Sequence, residues 1–167
     1  MSVDVQSVYD DQFHLFQREL AEALQRDEVV SHLCLARLHE LDGRLEDAED
    51  ETRRKYLNRL SMAMTEYAQT RLRHMAREDF EKLHDKEHLE DEVFETYRRR
   101  VTKYDSCFKN TLDDLVRFNE EHPLHPVEEE TFRFTRTGLV HFEQIIQTYI
   151  RILEFKLDRG GWLSCVL

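Results

Sequence analysis

A chain of 167 residues is long enough to bury a genuine core, and four glycines and two prolines beside 35% charged residues are the composition of helices, since strands and tight turns use Gly and Pro faster. The formal net charge of −11 argues against a sequence-independent grip on nucleic-acid phosphate or on an anionic bilayer, both of which draw on a Lys/Arg surplus. Three cysteines (Cys34, Cys107, Cys165), far apart and in no C-x-x-C spacing, argue against a disulfide framework or a zinc knuckle and fit a reducing intracellular compartment.

The acidic start, MSVDVQSVYDD, lacks the basic opening and apolar run of a signal peptide, and no window approaches ~18 uninterrupted apolar residues. No membrane association is expected. At the other end Cys165 is third from last, whereas prenylation needs it fourth.

The first predicted helix runs from about Val5 to Leu24, with Val5, Tyr9, Phe13, Phe16, Leu20 and Leu24 at helical spacing. Asp27 offers an N-cap for a second, lined by Val30, Leu33, Leu38, Leu41 and Leu45, which Gly43 either ends or weakens. The acidic run from Glu46 to Glu51 then complements the dipole of the stretch around which the chain is organised, Glu51 to Arg77. Leu57, Leu60, Met64, Tyr67, Leu72 and Met75 keep one side of that helix apolar, while Arg53, Arg54, Arg59, Glu66, Arg73 and Arg77 keep the other wet. Arg71 sits at the edge of the stripe, where a guanidinium calls for a carboxylate, backbone carbonyls or a path to water.

A fourth segment, Leu89 to Phe118, carries a second stripe of Phe94, Tyr97, Val101, Tyr104, Phe108, Leu112, Leu115 and Phe118. Arg98, Arg99 and Arg100 are neighbours, about 100° apart on a helix, so they splay instead of forming one groove, and direct contact with nucleic acid is not expected of them.

Pro123 and Pro126 end the helical part, because neither fits a helix interior and each drives the residue before it toward extended backbone. Beyond them Thr131-Phe132-Arg133-Phe134-Thr135-Arg136 alternates as a strand does, Thr137-Gly138 reads as a turn and Leu139 to Phe142 as the return. Ile145 to Leu157 is ambiguous, with Ile146, Ile150, Leu153 and Leu157 favouring helix, and Gly160-Gly161 turns the chain into a last apolar stretch. Net charge is −10 over residues 1–122 (19 basic, 29 acidic) and −1 over 123–167 (5 basic, 6 acidic). These shifts predict a mainly α protein: a bundle of long antiparallel helices over 1–122, followed by a small β-containing appendage over 123–167.

Catalytic chemistry has few footholds. His84-Asp85-Lys86-Glu87-His88 matches the H-x-x-E-H of inverted zinc peptidases, yet it lies in a charged connector with no third ligand in view. Glu81 with His84 is half of a di-iron bundle motif, and only one such pair is present. No G-x-S-x-G elbow or Gly-rich phosphate loop occurs. The expectation is a non-enzyme with no cofactor and no metal; a metal-dependent hydrolase built on His84 and His88 is the alternative from another class.

The run Tyr67-Ala68-Gln69-Thr70-Arg71-Leu72-Arg73-His74-Met75 resembles the Tyr-x-x-x-Arg-Leu-x-x-Ile helix of GINS subunits, the four related proteins of the accessory complex of the replicative helicase. Glu90 to Tyr104 is similar to the Glu-x-Glu-x-Phe-x-x-Tyr stretch those subunits carry next, and Gly160 to Leu167 to their short terminal close. The resemblance implies a helical domain followed by a small β-rich one, no catalysis, a nuclear location, and packing against sister subunits and the helicase ring. It makes Tyr67, Arg71, Leu72, Met75, Phe94, Tyr97, Tyr104, Phe132, Phe134 and Trp162 interface or packing residues, with Arg71 oriented by a carboxylate. Helices of ~30 residues also carry more apolar edge than a small bundle hides, which by itself points to a protein partner. A scaffold subunit of a tethering, kinetochore or flagellar assembly shares that logic.

Overall fold

Thirty-five residues without Gly or Pro, Asp50–His84, form one unbroken helix (α3), and the rest of the molecule is laid against it. The computed structural model describes residues 4–26 and 31–157. Within them the other helices are α1 (Val5–Gln25), α2 (Leu33–Arg44), α4 (Asp91–Glu121) and α5 (Glu129–Glu154). Asp27, Val30, Gly160, Gly161, Trp162 and Cys165 lie outside the described residues.

α3 runs past Arg77 because nothing there stops it. Arg77 and Glu81 pair one turn apart at 2.9 Å, and Phe80 stacks on Tyr149 of α5 with ring centroids 4.3 Å apart. Asp50 and Glu51 occupy its first turn and Lys82 and His84 its last, each charge complementing the dipole. Leu57, Leu60, Met64, Ala68, Leu72 and Ala76 make its buried seam. The two alanines let α4 approach closely enough for the Tyr97 hydroxyl to donate to the Ala76 carbonyl at 3.4 Å.

α2 begins at a residue in the left-handed region, His32 (φ 61°), which offers no side-chain cap. Asp114 of α4 takes that role: its Oδ2 accepts from the Leu35 backbone N–H at 3.2 Å, and its Oδ1 is 3.4 Å from His32 Nδ1. Gly43 is helical and does not end α2. On the α1 side, buried Gln12 accepts from Arg37 Nη1 at 2.8 Å.

Pro123 and Pro126 follow the end of α4 as expected, but the β-containing appendage does not form among the described residues: 129–154 is helix. The alternation over Thr131 to Arg136 spans too few residues to distinguish a period of 2 from one of 3.6. Over the whole segment Thr131, Thr135, Leu139, Phe142, Ile146, Ile150 and Leu153 fall on one face, and all are buried. Gly138 is a close-approach residue instead of a turn: a Cβ there would lie 2.9 Å from the Gln69 side-chain oxygen. The link into α5 is held by two asparagines. The Val127 N–H donates to Asn119 Oδ1 at 2.7 Å and the Glu128 N–H to Asn58 Oδ1 at 2.6 Å.

α5 packs on both α3 and α4, and its apolar face shares their core. Phe142 stacks on Phe108 with centroids 5.7 Å apart. Beyond α5, Leu157 forms an isolated parallel bridge with buried Leu89, whose N–H donates to the Lys156 carbonyl at 2.7 Å. At the edge of the α4–α5 seam, Asp105 Oδ1 is buried without a hydrogen-bond partner. Burial pushes this carboxyl up, and the neighbouring carboxylate of Glu143 adds to the effect.

Two outcomes follow from this packing. No atom lies within 4 Å of a Cβ built on Gly43, so Gly43→Ala is expected to raise unfolding free energy by about 0.5–1 kcal/mol in urea melts, the usual difference between Gly and Ala inside a helix. Because the folded-state pKa of Asp105 is raised, the native state binds the extra proton just above the ordinary carboxylate value, and stability falls as pH rises through that window. Asp105→Asn is therefore expected to gain on the wild type between mildly acidic and neutral pH and to hold a constant lead above, in urea melts across a pH series.

Candidate functional site

The predicted contact residues are drawn inward. Leu72, Phe94, Tyr97 and Tyr104 are buried, and Tyr67, Met75 and Phe132 are half-buried against the same core. Tyr67 lies edge-on to Phe13 and Phe16 of α1, with centroids at 6.0 and 6.3 Å, so this chain's own first helix covers it. Phe134 is exposed, and Trp162 is outside the described residues.

Arg71 is exposed, and among the described residues it makes no ion pair or hydrogen bond. The carboxylate-bound arginine of this region is Arg100. Its Nη2 lies 3.0 Å from Asp79 Oδ2 and donates to the Tyr104 hydroxyl at 3.2 Å, while that hydroxyl donates to the same Asp79 oxygen at 3.3 Å. Arg98 turns instead to Glu95 (3.7 Å) and Arg99 to the Thr96 hydroxyl (3.5 Å), the expected splay.

Around Arg100 the last turns of α1 and the facing flanks of α3 and α4 leave a groove of about 530 Å³. Leu24 and Met75 make its apolar lining, with Arg71, Arg100 and Lys103 as its cations. Across Arg100 and Asp79 lies a second cleft of about 420 Å³, bounded by Lys82, Leu83, Val93 and Tyr97. Burial raises the Tyr104 phenol, the Arg100 hydrogen bond holds it back, and Asp79 raises it again. Burial, then the charge of Asp79, pushes Tyr97 well above the ordinary phenol range. Chemically, this is a place for an acidic group to meet a guanidinium fork over an apolar lining.

Apolar periodicity does not single out Asp79 or Lys103, yet the spacing carries a usable signal: Arg71, Met75 and Asp79 follow one another at four-residue steps along α3, as Arg100 and Tyr104 do along α4.

The histidine motif does not assemble. α3 ends at His84, which stacks on Phe80 (5.1 Å), and His88 is exposed in the turn beyond, so the two imidazoles are not on consecutive turns of one helix. Cys34 and Cys107 are buried free thiols, and burial pushes the Cys34 thiol far up, which makes it unreactive. Among the described residues no helix is long and apolar enough to cross a membrane.

A different surface is exposed on α5 among the described residues. Phe134 and Ile152 are 36% and 37% exposed and lie whole turns apart on one flank of the helix, with half-buried Ile145 between them. Phe155, 91% exposed, carries the apolar surface past the end of the helix, while Val140, 50% exposed, stands apart on its polar side. No protein-family model, curated protein or solved structure matches the chain.

The Arg100 contacts generate one outcome. Arg100→Gln removes the hydrogen bond that holds the Tyr104 phenol down, so its titration is expected to move further upward. Ultraviolet difference titration at alkaline pH, with Tyr104→Phe in each background to isolate this phenol, reads the shift.

Proposed function

We propose that this chain is a non-catalytic structural subunit of a multi-protein assembly, most closely a GINS-like accessory complex of the replicative helicase. The observation that carries the reading is the apolar surface that α5 exposes among the described residues, with Phe134 and Ile152 on one flank and Phe155 beyond it, while the apolar stripes of α3 and α4 are largely buried. An apolar helix flank rimmed by charge is the form a subunit contact takes, because covering it releases structured water without stripping ions.

The GINS part of the reading is supported by the Tyr67, Arg71, Leu72, Met75 pattern on α3 and by Phe94 and Tyr97 on α4. Residues 129–154 are helical and lend no support to the second, β-rich domain of that family. On this reading the partners are sister subunits and the helicase ring, nucleic acid is not bound directly, and the protein works in the nucleus. A scaffold subunit of another intracellular assembly would use the same flank.

Affinity capture of the full chain from nuclear extract, with cross-linking and mass spectrometry, tests it. The expected result is a small stoichiometric set of protein partners with cross-links close to α5, depleted at least tenfold by Phe134→Asp with Ile152→Asp while the far-ultraviolet spectrum is unchanged. A chain that stays monomeric, captures nothing stoichiometric and turns over a substrate would end the proposal; partners from an assembly unrelated to replication would end its GINS part.

A further inference from the structure

At the far end of the bundle from the Arg100 groove, the last turn of α4 meets α2. His39 of α2 places Nε2 2.9 Å from Oε2 of Glu121, and the His122 ring stands 4.7 Å from the His39 ring, centroid to centroid. One donor atom from each of the three lies within 4.8 Å of the others. We propose that His39, Glu121 and His122 bind a divalent ion of the zinc class, clipping α2 to the end of α4.

The donor set carries the chemistry. Two imidazoles and a carboxylate are zinc ligands, with a fourth, open position left for water. Bonds of about 2.0–2.2 Å in a tetrahedron hold ligand atoms roughly 3.4 Å apart; His39 Nε2 and Glu121 Oε2, at 2.9 Å, already lie within that spacing, and the His122 donor closes on them from within 4.8 Å. All-oxygen ions such as Ca²⁺ and Mg²⁺ do not suit two nitrogen donors.

The surroundings match what ligands need. Arg117 holds the other oxygen of Glu121 at 3.4 Å, leaving Oε2 toward His39. Asp42, buried and held by Arg53 at 2.7 Å, places Oδ2 3.5 Å from His122 Nε2, the carboxylate behind a histidine that fixes ring orientation in metal sites. The nitrogen that Asp42 does not face, His122 Nδ1, is buried and has no hydrogen-bond partner. Phe118, fully buried, stacks on His122 at 4.5 Å and lies edge-on to His39 at 5.7 Å, an apolar floor beneath the donors. A hydrogen bond between His39 and Glu121 alone would satisfy one imidazole and leave the second beside it with that nitrogen unengaged; a shared cation engages all three side chains.

The full chain, stripped with a chelator, is titrated with Zn²⁺ by calorimetry and with Co²⁺ by visible absorption. The expected result is one equivalent of either metal, the intense d–d bands of four-coordinate Co²⁺, and a thermal midpoint that climbs with free Zn²⁺, because only the folded chain holds the donors together. His122→Ala abolishes the bands and the thermal shift. Glu121→Gln, a same-size change at an exposed position, does so without loss of fold, and the pair His84→Ala with His88→Ala changes neither. Absence of saturable one-equivalent uptake, uptake indifferent to His122→Ala and Glu121→Gln, or uptake lost with the His84 and His88 pair would each overturn the site.

Discussion

The bundle depends on α3 being long, unbroken and touched by each of the other four helices. A helix in that position cannot have a single apolar stripe and a single wet back, because neighbours arrive from several directions. Its buried set accordingly includes Asn58, Ser61 and Thr65 beside the leucines. Each of these polar groups has a local answer. Ser61 and Asn58 donate to the carbonyls of Leu57 and Arg54, one turn back, and Thr65 meets Thr135 of α5 at 3.4 Å. Polar groups satisfied at close range let α1, α2, α4 and α5 share one central helix, and none of the unpartnered buried polar atoms among the described residues lies on α3.

The same arrangement changes how the long apolar stripes are to be understood. Their area exceeds what two helices can hide from each other, and that excess was grounds for expecting a partner. Most of it is covered from within: α1 lays Phe13 and Phe16 on Tyr67, α2 is capped from α4 by Asp114, and α5 fills the remaining side with Phe142 and Leu153. The large apolar side chains that stay exposed among the described residues are Phe134, Val140, Ile152 and Phe155 in or just beyond α5, Val116 on α4 and Leu124 in the link between them.

How far the sequence could be read follows from the range of each signal. Helix existence was legible for α1, α3 and α4, because their apolar periods persist over many turns and Pro123 and Pro126 punctuate them without ambiguity. The first half of α5 looks like a hairpin because the six-residue alternation over Thr131 to Arg136 masks the 3.6-residue period, whereas from Ile145 onward Ile146, Ile150 and Leu153 favour the helix that forms. Arg71 and Arg100 both stand four residues from a tyrosine, and only the folded chain shows that it is Arg100 that meets Asp79. The His39, Glu121, His122 cluster carries no local spacing at all, since His39 is on α2 and the other two end α4, and it exists only once those helices cross. The one contiguous histidine motif, His84 to His88, straddles a helix end and so loses the geometry its spacing suggests.

The two ends of α4 divide the labour of fixing its neighbours, and the division explains where charge is concentrated inside so acidic a chain. Toward the start of the helix, Arg100 ties α4 to α3 through Asp79 and Tyr104, partly shielded from water, so the attraction is less screened than in a surface pair. Toward its end, Asp114, Glu121 and His122 tie α4 to α2 through His32, Leu35, His39 and Asp42. The first set is an arginine matched to one aspartate and one phenol, and the second gathers imidazoles against carboxylates around the last turn of α4. That second junction lies immediately before the Pro123 turn, and what then directs the chain into α5 is a separate pair of contacts, Asn119 on the Val127 N–H and Asn58 on the Glu128 N–H, so α4 is tied to α2 and α5 is tied to α3 and α4 by different side chains.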